Sequence, residues 1–70
     1  MARSDKRFIR VYTDSRFSGS NEIWVDTQTG VNYLFHYSGY AGGMTVLLDE
    51  TGKPVVTPRY EVENLIYENR

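Results

Sequence analysis

The chain predicts an α+β fold, a small antiparallel β-sheet of about five strands in meander order with a short C-terminal helix, forming one domain over residues 1–70 of a homo-oligomer. Three observations carry this. Short runs rich in β-branched and aromatic residues alternate with clusters of Gly, Asp, Asn, Ser and Thr. The period-two alternation gives way to helical spacing only near the carboxyl end. Seventy residues without cysteine have no disulfide to offset chain entropy and little area to bury, so self-association is the expected staple.

Arg7-Phe8-Ile9-Arg10-Val11-Tyr12 reads as a first strand, stopped by the polar cluster Thr13-Asp14-Ser15. A polar loop is expected from Arg16 to Ser20, broken by Phe17 as a plug at the core edge or part of a lid. Residues 1–6 are expected to form a flexible arm, with Arg3 and Lys6 as its basic side chains.

Glu22 to Asp26 and Val31 to Tyr37 flank Thr27-Gln28-Thr29-Gly30, a hairpin in which Gly30 suits the left-handed position of a type I turn with a bulge. In the second arm Val31, Tyr33, Phe35 and Tyr37 share one face, and Asn32, Leu34, His36 and Ser38 the other. Neither face is wholly polar, so both sides of the sheet are expected to be covered, by a helix or by another subunit.

The run Tyr37-Ser38-Gly39-Tyr40-Ala41-Gly42-Gly43 interrupts two strand-like segments. Glycine there admits positive φ and close approach of the backbone to an acceptor, and a tyrosine ring offers a stacking face. A hairpin connection or sheet corner explains the same residues without a ligand. Met44 to Leu48 reads as a fourth strand, Asp49 to Lys53 as a turn, and Pro54 to Thr57 as a short fifth strand at an edge. Thr57-Pro58 resembles an N-cap with proline at the first helical position, and Glu61 and Glu63 suit a helix amino end. Val62, Leu65 and Ile66 then share one face of a helix from Pro58 to about Tyr67.

Net charge is −1, which argues against a general nucleic-acid binder, since such proteins need a basic excess to displace counterions. The distribution is uneven: residues 1–20 hold five basic and two acidic side chains, and 49–70 hold three basic and five acidic. No run of apolar residues is long enough for a signal peptide or a membrane span, so a cytoplasmic location is expected, the host cytoplasm if the chain is phage-encoded.

The elements Ile23-Trp24-Val25-Asp26-Thr27-Gln28-Thr29-Gly30-Val31-Asn32-Tyr33-Leu34-Phe35, Gly39-Tyr40-Ala41-Gly42-Gly43-Met44-Thr45, Leu47-Leu48-Asp49 and Gly52-Lys53-Pro54-Val55 resemble a domain-of-unknown-function family, number 6440, of short proteins from Gram-positive bacteria and their phages. The resemblance spans Glu22 to Val56 and implies a small β-rich fold in a phage-linked setting, with no activity attached. Val46 stands where the family pattern has proline, which implies a more regular strand here.

No Ser-His-Asp or Cys-His arrangement, metal-ligand spacing or phosphate-loop lysine is present, so neither catalysis nor a metal or cofactor is expected. His36 reads as a hydrogen-bonded strand histidine, and Asp26 and Asp49 as turn caps. The leading expectation is a non-enzymatic binder of a small phosphate-bearing ligand of nucleotide type, in a pocket formed where subunits meet. Gly42 and Gly43 would supply backbone donors beside Met44, Tyr37 or Tyr40 would stack on a base, Arg59 would pair with phosphate, and Tyr60 would close one side. By analogy of size, composition and setting, such a protein would act as a phage anti-defence sponge, sequestering a cyclic dinucleotide or a cyclic ADP-ribose derivative used as an immune signal. The alternatives are a protein-interaction module and, third, a single-strand binder using Arg3, Lys6, Arg7, Arg10 and Arg16 interleaved with Phe8, Tyr12 and Phe17.

Overall fold

Four strands follow one another along the chain and side by side in space: β1 (Phe8–Arg16), β2 (Gly19–Asp26), β3 (Asn32–Ser38) and β4 (Ala41–Val46), all antiparallel, followed by the helix α1 (Arg59–Glu68). This is a computed structural model, and it describes residues 6–69, so the arm expected over 1–6 lies outside the described residues except for Lys6. The meander and the C-terminal helix match the sequence expectation; the strand number does not. The expected fifth strand contributes only the isolated bridges Leu48↔Pro54 and Val31↔Val56. Pro54 has no N–H for a ladder, and a short clasp forms instead: Asn32 N donates to Val55 O at 2.9 Å, and Val55 N to Leu47 O at 2.9 Å.

β1 runs through the residues expected to stop it. Thr13 to Arg16 stay paired with Glu22 to Gly19, the Ser15 and Ser20 hydroxyls lie 2.8 Å apart, and only Phe17 and Ser18 form the turn. The register slips between Arg10 and Tyr12, so Val11 is the extra residue of a β-bulge. The β2–β3 turn is as expected: Gly30 has φ 83°, and its N–H donates to Asp26 O at 2.6 Å.

Only Gly39 and Tyr40 connect β3 to β4. Gly39 takes φ 60° and Tyr40 does not have a positive φ, which is the pattern of a type II′ hairpin turn. Gly42 and Gly43 therefore belong to a regular strand that begins at Ala41, three residues before the expected start, and ends at Val46 rather than Leu48.

The register sorts the side chains into two faces. One carries Trp24, Tyr33, Phe35, Tyr37, Met44 and Val46, the aromatic stripe read from period two; the other carries Ile9, Val25, Asn32, Leu34, His36, Gly43 and Thr45. The helix starts one residue later than expected. Pro58 is its N-cap, without a side-chain cap bond, and its carbonyl accepts from Glu61 N and Val62 N at 3.0 Å. Of the two glutamates only Glu61 lies in the first turn; Glu63 sits 3.7 Å from Arg59 one turn away. Val62 is buried, with Leu65 and Ile66 half-buried on the same side. Glu61, Asn64 and Leu65 share a cavity with Val11, Val25 and Asn32, so α1 lies over the Ile9–Val25 end of the second face. Among the described residues the buried apolar core is Ile9, Val25 and Val62. Among the described residues no element packs over the aromatic face, so of the two expected covers, a helix or another subunit, the helix accounts for the second face alone. The molecule is accordingly a slab of 38 × 32 × 18 Å.

Candidate functional site

Alternation along β2 and β3 sets Glu22 among the aromatic residues of the open face, where it is buried at 6% exposure. Its carboxylate accepts from the Trp24 indole N–H through Oε1 at 2.9 Å and from Arg10 through Oε2 at 3.2 Å. Both oxygens are thus engaged, which is what makes a carboxylate tolerable there. Phe8, Glu22, Trp24, Phe35 and Met44 line a depression of about 310 Å³ on this face. The Phe35 and Tyr37 rings pack at 5.5 Å over Gly42, whose Cβ, if present, would lie 3.2 Å from Tyr37 Cβ and 3.3 Å from Phe35 Cζ. Gly42 is therefore the bare strand position against which the Phe35 ring edge and the Tyr37 Cβ lie.

On the opposite face, beyond the end of the helix, an open concavity of about 440 Å³ is lined by Leu34, His36, Ser38, Ala41, Gly43 and Thr45, with Gly42 and Met44 also bordering it. Gly43 is its bare floor: a Cβ there would meet nothing within 4 Å. His36 Nδ1 lies 2.8 Å from Asn21 Oδ1, and the Ser38 hydroxyl donates to Ser18 O at 2.9 Å, binding the two hairpin tips together. Around Ser38 the surface continues into a second depression of about 290 Å³ between those tips, lined by serines 15, 18, 20 and 38 with Arg16, Phe17 and Tyr37. Phe17 and Tyr40 crown the two turns with fully exposed rings. This end of the sheet combines hydroxyls, an imidazole, open backbone and two unpacked aromatic rings.

The residues expected to bind a ligand divide into two groups. Tyr37, Tyr40, Gly42, Gly43 and Met44 all fall on the β3–β4 hairpin, although Tyr37 and Gly43 point to opposite faces. Arg59 and Tyr60 begin the helix at the other end of the sheet, about 20 Å away at the rise of a seven-residue strand. Arg59 is occupied there, donating to Thr27 O at 2.7 Å in the β2–β3 turn. One protomer therefore does not bring Arg59 to the glycine run. Sequence reasoning did not single out Ser38, Thr45 or Arg16 for the site, nor Glu22 for the aromatic face; the period-two alternation placed Ser38 beside His36 and was the available signal.

Asp26 and Asp49 serve as turn caps. Asp26 accepts two hydrogen bonds from Arg7, both at 2.9 Å, and one from Gln28 N at 2.9 Å. The Arg7 bonds, opposed by burial and helped by Gln28, hold its carboxyl down at about 2. Asp49 is held below the usual carboxylate range, chiefly by the Thr51 hydroxyl at 2.7 Å and then by backbone N–H groups of its turn. Among the described residues no three His, Cys, Asp or Glu side chains gather as a metal site, and no helix is long and apolar enough to cross a membrane.

The model of a family of unknown function (DUF6440) matches residues 7–57, from the start of β1 to the clasp before the helix and so more of the chain than the sequence elements quoted above. No curated protein and no solved structure matches the chain.

Proposed function

The chain belongs to that family of unknown function, and we propose that it is a non-enzymatic binding protein for a small polar ligand with a planar ring, of nucleotide type, held at the hairpin-tip end of the sheet. The observation that carries this reading is the coincidence at one end of an open Gly43 floor, the His36, Ser38 and Thr45 side chains bordering it, and the exposed rings of Phe17 and Tyr40. The Thr45 hydroxyl can donate to a phosphate or sugar oxygen, the Ser38 oxygen, whose hydrogen goes to Ser18 O, can accept from a sugar hydroxyl, and His36 keeps one ring nitrogen for either role; bare strand backbone admits close approach, and aromatic rings stack on a base. The role assigned here is sequestration: the ligand is held and returned unchanged. In a phage-encoded protein that would remove an immune signal such as a cyclic dinucleotide or a cyclic ADP-ribose derivative.

The test is a thermal-shift panel of mono-, di- and cyclic nucleotides, followed by recovery of any ligand that binds. Binding at a hundredfold excess over Kd stabilises the fold by about 2.7 kcal/mol, a shift of several degrees in a domain this small. Gly43→Trp, which fills the floor, is expected to abolish the shift with the fold retained. A chemically altered ligand would overturn the non-enzymatic reading, and an unmoved Tm across the panel would overturn the ligand class.

A second reading rests on a different observation, the uncovered aromatic face with Phe8, Met44 and Val46 exposed. There the protein would dock an apolar partner surface. Partner capture that survives Gly43→Trp and fails with Trp24→Ala would favour it.

A further inference from the structure

We infer that the free edge of β4 is a pairing edge, and that two copies join through it, β4 antiparallel to β4 about a two-fold axis, to make one continuous eight-stranded sheet. The two outer edges of this sheet are built differently. β1 contains Arg10, Asp14 and Arg16, follows directly on Lys6 and Arg7, and is kinked by the bulge at Val11; charges and a bulge are the usual means by which an edge is kept from pairing. β4, Ala41–Val46, has no charge, no proline and no bulge, and all six residues are exposed. An edge so flat and uncharged is a template for another strand unless something covers it.

Strand geometry says which groups are on offer. Ser38 and Ala41 close a two-residue hairpin as a hydrogen-bonded pair, so His36 and Gly43, then Leu34 and Thr45, are the next bonded pairs. The bond from Leu47 N to Asn32 O at 3.0 Å continues the same alternation beyond the strand. Gly42, Met44 and Val46 are left with N–H and C=O groups directed outward, and none of the three joins the backbone bonds made outside the ladder.

The occupant that suits this edge is a second copy. A pairing centred on Met44 sets Met44 opposite Met44 of the partner subunit and Gly42 opposite Val46 of the partner subunit, so every outward group meets a counterpart and no charge faces a like charge. It also carries the aromatic face, with Met44 and Val46, across the axis without a step. An 8.1 kDa chain with three buried apolar residues among those described gains the additional burial that its size calls for. The β4 side of the Gly43 concavity would then be bordered by the partner's strand; this last consequence rests on the ligand reading above, whereas the pairing does not.

Sedimentation velocity of the whole chain between about 1 and 100 μM, combined with residue-resolved amide exchange, tests the inference. The wild type is expected to sediment at twice its 8.1 kDa mass, with the Gly42, Met44 and Val46 amides protected at least tenfold over an open edge at concentrations where the pair is populated. Val46→Lys, which puts a charge on the edge without touching the concavity lining, is expected to give a folded monomer by circular dichroism. A wild type that stays monomeric, outward amides that exchange at open-strand rates, or a dimer that Val46→Lys leaves intact would each overturn the pairing. Because amide exchange is read on the wild type, failure of the variant to fold does not shield the proposal. A protected dimer with no nucleotide shift would sink the ligand reading alone, and a monomer with a shift would sink the pairing alone.

Discussion

Trp24 donates its indole N–H to Glu22 Oε1 at 2.9 Å, between two residues on the same strand and the same face, and the other Glu22 oxygen is held by Arg10 at 3.2 Å. Three side chains from two strands thus form a polar knot inside an otherwise apolar surface. Replacing Glu22 by Leu leaves the Trp24 N–H and the Arg10 guanidinium without their acceptor. The expected cost is about 1–3 kcal/mol in urea unfolding, with a changed tryptophan emission in the folded state. Glu22→Gln, which keeps one carbonyl acceptor, should lose less.

Acid should weaken the protein in a defined window. Asp26 titrates at about 2 in the folded chain against an ordinary value of 3.8. A depressed carboxyl contributes stability that is complete above the unfolded value and is lost as pH falls through the folded one. Unfolding midpoints followed from pH 5 to pH 2 are therefore expected to drop mainly below about pH 4. Asp26→Asn should flatten that slope, leaving the smaller contribution of Asp49.

Adjacent glycines in β4 should respond oppositely to substitution. Gly42→Val drives a branched side chain into the Phe35 ring and the Tyr37 Cβ and is expected to cost about 1–3 kcal/mol. Gly43→Ala meets open space at an ordinary strand φ, and removing glycine's extra freedom in the unfolded chain should stabilise by about 0.4–1 kcal/mol. Paired urea titrations read both signs.

Much of this architecture was legible because the Gly30 turn and the alternation from Val31 to Ser38 encode register locally. The continuation of β1 through Thr13-Asp14-Ser15-Arg16 was not, since turn-forming residues are held in a ladder here by a partner strand, and the Ser15–Ser20 hydroxyl contact is a property of the pair. Nor could the run at 54–57 be sorted: its anchor is Asn32, whose buried amide donates to Gly30 O at 3.1 Å and to Thr57 Oγ1 at 2.9 Å, contacts that span 2 and 25 residues. Tyr37, Tyr40, Gly42, Gly43 and Met44 fall together because neighbours in a hairpin are neighbours in sequence. Arg59 falls at the other end of the protomer because helix position depends on which end of the sheet Val62 caps, and amphipathic spacing carries no such address.

The kinked and charged outer border of β1 bears on how far any assembly could grow. A sheet with two receptive borders propagates without limit and ends as fibre, whereas one with a single receptive border is used up after one round. The displaced Val11, together with Arg10, Asp14 and Arg16, acts as a terminator: however concentrated the protein becomes, this geometry favours a finite particle over a filament.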